Sequence, residues 1–187
     1  VFESLEPELI ERTRKLISKG LIEVGSHTRY HSGLGFLEPF EARREMSESK
    51  KWLENYFGVP VVGYRTPYLL PAAKDYTIHA KILGEIGYTY YSEEGPVYGR
   101  VPGYAVVHKP WNTFGYTAEQ TPAKTKSLME SRNYLITLDH PWNMVYKDGA
   151  LLKEYPEGLV TYRANILTII SNGGIPVLAK DLELPVR

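Results

Sequence analysis

A chain of 187 residues that is 43% apolar and 24% charged has enough apolar material for one sizeable core, which excludes a disordered segment and leaves it short for two domains. Its 22 Lys and Arg balance 22 Asp and Glu, so no net field draws it to nucleic acid or an anionic membrane. No apolar run approaches the roughly 20 residues of a spanning helix, and the lack of cysteine excludes disulfides and thiolate chemistry while leaving the compartment open.

In chain order, Ser4, Glu6 and Pro7 read as a helix start, with Leu9, Ile10, Leu16 and Ile17 forming an apolar stripe that stops at Gly20. Leu21–Val24 reads as a strand running into Gly25-Ser26-His27-Thr28-Arg29-Tyr30-His31. From Glu38 to Phe57 the apolar positions Phe40, Ala42, Met46, Trp52, Leu53 and Tyr56 recur near a 3.6-residue period, and Gly58 closes that helix. Val61–Tyr64 is a strand followed by Arg65-Thr66-Pro67-Tyr68. Ile78, Ile82, Leu83 and Ile86 mark a third helix stopped by Gly87, and Tyr88–Ser92 is the next strand.

Beyond it, Ala105–His108 is a weaker strand, Glu119–Arg132 a polar helix and Tyr134–Asp139 a strand leading into His140-Pro141. Leu159–Ser171 is a helix, and Ile175–Ala179 a last strand after Asn172-Gly173-Gly174. Strands separated by helices imply parallel β/α units in an α/β fold. In such folds chemistry collects where strands end. Three strand ends here carry histidine, arginine or tyrosine.

His27 and His31 are two of five histidines in the chain. On a helix, residues four apart share one face and can hold one cation. On a polar loop they can equally be two surface imidazoles. The 15 tyrosines fit either a carbohydrate-facing surface or ordinary core packing. His79, within a helix pattern, and His108, in a weak strand, read as structural.

Taken together, Ser26-His27-Thr28-x-x-His31, then Arg65-x-Pro67-Tyr68, then Leu138-x-His140 resemble the polysaccharide deacetylase family, the NodB-homology or carbohydrate esterase family 4 domain. The resemblance runs from about Glu6 to Leu182 and rests on three motifs in order. It implies a distorted (β/α) barrel of about seven strands, and a metal-dependent hydrolase that removes acetyl groups from an N-acetylated or O-acetylated polysaccharide. His27 and His31 would be two of three protein ligands to a divalent metal, usually zinc. His140 would be the general acid, and the Tyr68 backbone N–H would help hold the oxyanion. Arg65 would pair with the aspartate that acts as base. Pro67 and Leu138 would line the substrate site, Leu138 receiving the acetyl methyl. The partner implied is an acetylated glycan, with no nucleic acid and no transmembrane segment, and the family setting suggests the cell exterior or envelope.

The departures matter as much. The family's paired aspartates, which supply the base and the third ligand, have no counterpart: Asp75, Asp139, Asp148 and Asp181 are the only aspartates and none are adjacent. Its Asp-Trp motif is also missing, the region after Tyr91 reading Ser92-Glu93-Glu94-Gly95. The metal motif comes early and the chain opens on Val1. The expectation is therefore one deacetylase-like domain over 1–187, N-terminally incomplete, whose first strands lie upstream or are supplied by another chain. A catalytically inactive relative that binds carbohydrate through the same groove is the alternative. An unrelated α/β domain whose histidines mimic the motif is a third reading.

Overall fold

The computed structural model describes residues 7–69, 76–92, 105–107, 111–112, 120–130, 137–138, 146–147, 150–151 and 156–181. The chain divides into two compact units, one of residues 1–109 with 177–187 and one of residues 110–176.

In the first unit, helix α1 (Pro7–Ser18) is followed by strand β1 (Gly25–Ser26), helix α2 (Pro39–Phe57), strand β2 (Gly63–Arg65), helix α3 (Tyr76–Ile86), strand β3 (Tyr90–Ser92) and strand β4 (Ala105–Val107). The four strands form one parallel sheet in the order β1-β2-β3-β4. Its register sets Ser26 beside Tyr64 and Arg65 beside Ser92, so the ends of β1 and β2 lie together. The helix stops follow backbone chemistry. Gly20, Gly58 and Gly87 all take positive φ, and the N–H of Gly58 closes α2 onto the carbonyl of Glu54. At the other end of α2, Glu38 and Glu41 form a reciprocal capping box ahead of Pro39.

The core of this unit is built from Leu34, Ala42, Met46, Leu53, Phe57, Val61, Tyr64, Ala80, Ile82, Leu83, Tyr88 and Tyr91. Four tyrosines, Tyr64, Tyr88, Tyr90 and Tyr91, are thus spent on packing, while Tyr30 and Tyr68 are exposed. Phe40 departs from its expected place on the apolar stripe of α2. It is 69% exposed, because it lies two residues, about 200° around the helix, from Ala42 and so faces away from the stripe of Ala42, Met46 and Leu53. Tyr88 donates its hydroxyl to the carbonyl of Met46 at 2.9 Å, and burial pushes that phenol up.

The second unit holds strands β5 (Trp111–Asn112), β6 (Thr137–Leu138), β7 (Tyr146–Lys147) and β8 (Ala150–Leu151) with helices α4 (Gln120–Glu130) and α5 (Pro156–Ser171). Strands β5 and β6 pair in parallel, and β7 and β8 pair antiparallel. Helices α4 and α5 pack on each other around a buried polar pair, Thr125 Oγ1 donating to Asn165 Oδ1 at 2.7 Å.

Two expected strands are placed differently. The first strand is Gly25–Ser26 rather than Leu21–Val24. Residues 175–178 form no strand, and a 3-10 turn covers Ala179–Asp181. With Ile175 83% and Val177 58% exposed, that segment has no buried face to hold it in a sheet. Among the described residues, no helix is long and apolar enough to cross a membrane.

Candidate metal centre

The segment after β1 is not helical, so the i,i+4 argument does not carry the histidine pair. The chain reverses instead through two residues in the left-handed region, Thr28 at φ 62° and His31 at φ 59°. That reversal sets the His27 and His31 rings edge to face, with centroids 4.8 Å apart. Tyr68, in the turn after β2, also takes a left-handed conformation, at φ 60°, and its ring meets His31 with centroids 4.6 Å apart. Among the described residues these are the only non-glycine residues at positive φ. Each such conformation costs about 1–3 kcal/mol and persists only where its surroundings over-determine it. All three converge on one spot.

His27 is oriented from β2. Its Nδ1 lies 2.8 Å from the backbone oxygen of Arg65. A carbonyl only accepts, so Nδ1 carries the proton and Nε2 is the lone-pair nitrogen of the neutral ring. This is the arrangement that prepares a histidine to bind a metal. Pro67 is fully buried beneath the turn, while the Tyr68 side chain is 60% exposed. A side chain at Gly33 would meet both Phe36 Cδ2, at 3.1 Å, and Tyr68 Cδ2, at 3.5 Å, so a glycine lets those two exposed rings close over the loop.

Helix α2 holds the loop from its other side. Glu45 is buried, and its Oε2 accepts hydrogen bonds from the backbone N–H groups of Arg29 and Tyr30, each at 3.0 Å. Ser26, at the end of β1, donates to Ser49 Oγ at 2.9 Å. Arg29 reaches Glu48 at 3.0 Å, and its guanidinium lies over the Tyr30 ring, 5.3 Å from the centroid. The sequence reading named none of Glu45, Glu48 and Ser49. The signal was available, since Glu45 and Ser49 lie on the same helical stripe as Ala42, Met46 and Leu53, where an acid and a hydroxyl have no ordinary place.

The donor set fits a divalent ion in part. Two imidazoles are brought together with one tautomer fixed, but among the described residues no group of three His, Cys, Asp or Glu side chains could hold a metal. Leu138 lies in β6, its backbone paired with Asn112. His140 lies outside the described residues.

Residues 7–91 match the family model of polysaccharide deacetylases. The match spans the His27–His31 and Arg65–Tyr68 motifs and stops before Leu138 and His140. No curated protein matches. Among solved structures, the chain is similar to a polysaccharide deacetylase from Mycobacterium smegmatis, described as putative, at 18% identity and a TM-score of 0.65, covering 91% of this chain and 64% of that one. A family 4 acetyl xylan esterase from Clostridium thermocellum, solved with a cobalt ion, gives 15% identity and a TM-score of 0.58 over 94% of this chain and 70% of that one. A mutant of a CE4 family pseudoenzyme with restored enzymatic activity gives 15% identity and a TM-score of 0.58, over 94% of this chain and 52% of the other. The fold is the α/β fold of CE4 deacetylases and esterases.

Proposed function

Starting from a chain that resembles the polysaccharide deacetylases, we propose that it is a metal-dependent hydrolase removing acetyl groups from an N-acetylated or O-acetylated polysaccharide, on a distorted barrel of about seven strands. The observation that carries this reading is the convergence of three left-handed residues on an imidazole pair whose tautomer is fixed for ligation. His27 and His31 hold the divalent ion, zinc being suited to imidazole nitrogen. When bound, such an ion supplies a Lewis acid that polarises a carbonyl and lowers the pKa of water.

The remaining roles belong to the chain itself. The Tyr68 backbone N–H donates to the oxygen that gains charge as the acetyl carbonyl turns tetrahedral. Arg65 is the partner for the carboxylate base that takes the proton from the attacking water, a group the family draws from its paired aspartates and that Asp75, Asp139, Asp148 and Asp181 do not match. By the family resemblance His140 would return a proton to the leaving amine or alcohol, Leu138 would receive the acetyl methyl and Pro67 would contribute to substrate binding. The partner is an acetylated glycan, with Phe36 and Tyr68 offering exposed rings beside the histidines.

A second reading is an inactive relative that binds carbohydrate through the same groove. It is favoured by the two-ligand set among the described residues and by the likeness to a pseudoenzyme scaffold. Acetate release from N-acetylglucosamine oligomers, measured on the intact enzyme with and without added zinc, separates the two. Zinc-dependent acetate release is the expected outcome, and glycan binding with no acetate would install the second reading.

A further inference from the structure

Helix α2 turns a mixed face to the sheet. Ala42, Met46, Leu53 and Phe57 bury apolar surface, yet Glu45 and Ser49, each 6% exposed, interrupt that stripe. Burying a carboxylate costs several kcal/mol unless its oxygens are met by donors. Here the donors are two consecutive backbone N–H groups, those of Arg29 and Tyr30. Those residues lie between left-handed Thr28 and left-handed His31, so the carboxylate grips the loop at its point of reversal. Without it, the two amides would turn inward unsatisfied, and the chain could relax out of both strained conformations. That relaxation would carry His31 away from His27.

We propose that Glu45 is the positioning residue of the His27–His31 centre: it clamps the loop between the two imidazoles and so sets divalent-cation affinity without touching the ion. The proposal rests on the metal-centre reading given above. Ser49 anchors the start of the same loop through Ser26, and Glu45 is the buried group that holds the loop's backbone at Arg29 and Tyr30.

The test compares Glu45→Ala and Glu45→Gln with Met46→Ala, a neighbouring core truncation that removes none of the loop's hydrogen bonds. Cobalt(II) affinity is read by competition with a chromophoric chelator, and amide exchange of Arg29 and Tyr30 is followed by NMR on the metal-free full chain. Glu45→Ala is expected to bind cobalt about 10–100-fold more weakly, the usual cost of losing an outer-shell partner. Its Arg29 and Tyr30 amides should exchange at least about tenfold faster, while Met46→Ala loses stability but keeps wild-type cobalt affinity. Glu45→Gln, whose amide oxygen can accept both N–H groups, should recover most of the affinity, and it carries the comparison should the alanine variant not fold. Wild-type affinity and exchange in both Glu45 variants would overturn the proposal. Failure of the wild type to take up cobalt would sink the metal-centre reading instead. The exchange rates would then decide Glu45 alone, faster exchange upholding the clamp and unchanged exchange overturning it.

Discussion

Gly63 is the position where one added carbon should cost most. It lies in β2, beside Tyr90 of β3 in the ladder, and a Cβ there would come 2.9 Å from Tyr90 Cε1 and closer still to Cζ and the hydroxyl. Tyr90 cannot swing aside freely, because it is buried and its hydroxyl donates to Glu23. Gly63→Ala therefore has to push the ring off that partner. Overpacking of this kind costs about 1–3 kcal/mol, and a lost bond to a charged acceptor about 1.5–3 more. Restricting the unfolded chain returns about 0.4–1 kcal/mol, so the expected net loss is about 1.5–5.5 kcal/mol. Gly25→Ala is the internal control: its Cβ would meet only the Gly63 carbonyl, its oxygen at 3.5 Å and its carbon at 3.8 Å, both ordinary contacts, and should shift stability by less than about 0.5 kcal/mol. Urea unfolding followed by intrinsic fluorescence should show a lower midpoint for Gly63→Ala with an unchanged slope. In a Tyr90→Ala background the same glycine substitution should cost little, since the clashing ring is gone. Equal losses at Gly25 and Gly63, or an undiminished loss in the Tyr90→Ala background, would refute the packing argument.

In the second unit, Thr125→Val should cost about 1–3 kcal/mol, because it strips the buried Asn165 amide, whose Nδ2 already has no partner among the described residues, of its contact at Oδ1. The double variant Thr125→Val with Asn165→Leu should regain most of that loss in thermal melts; an additive double loss would contradict it. Burial pushes the Glu23 carboxyl above its ordinary 4.5, against the lowering pull of the Lys180 N–H and ammonium. A group raised on folding stabilises fully below its unfolded value and loses that contribution as pH rises through the folded one. Glu23→Gln should therefore flatten the fall in stability on going upward from about pH 4.5, and identical wild-type and variant slopes would rule this out.

The helices were largely legible because their signals are local. Gly20, Gly58 and Gly87 end them in the conformations that favour glycine, and apolar spacing located α2 and α3 within a few residues. The strands were less legible because a short strand in a parallel sheet is fixed by its neighbours. Gly25–Ser26 pairs with Gly63 and Tyr64, and nothing in Gly-Ser announces a strand. The candidate site was legible as residue types but not as geometry. His27 and His31 do meet, through two left-handed residues rather than along a helix, and propensity gives no warning that Thr28 and His31 will adopt that conformation. Glu45 could have been found as an acid on an apolar stripe, but its partners are backbone amides, which carry no mark in the sequence.

The division of labour proposed for His27 and His140 gives the most direct test of the account. Zinc content and acetate release are measured together on the intact enzyme and on its His27→Ala and His140→Ala variants. The account predicts that His27→Ala loses zinc and activity at once. His140→Ala should keep its zinc and lose turnover by about 10²–10⁴-fold, the usual worth of a positioned general acid. Full activity in His140→Ala, or zinc retained by His27→Ala while His140→Ala loses it, would contradict the assignment.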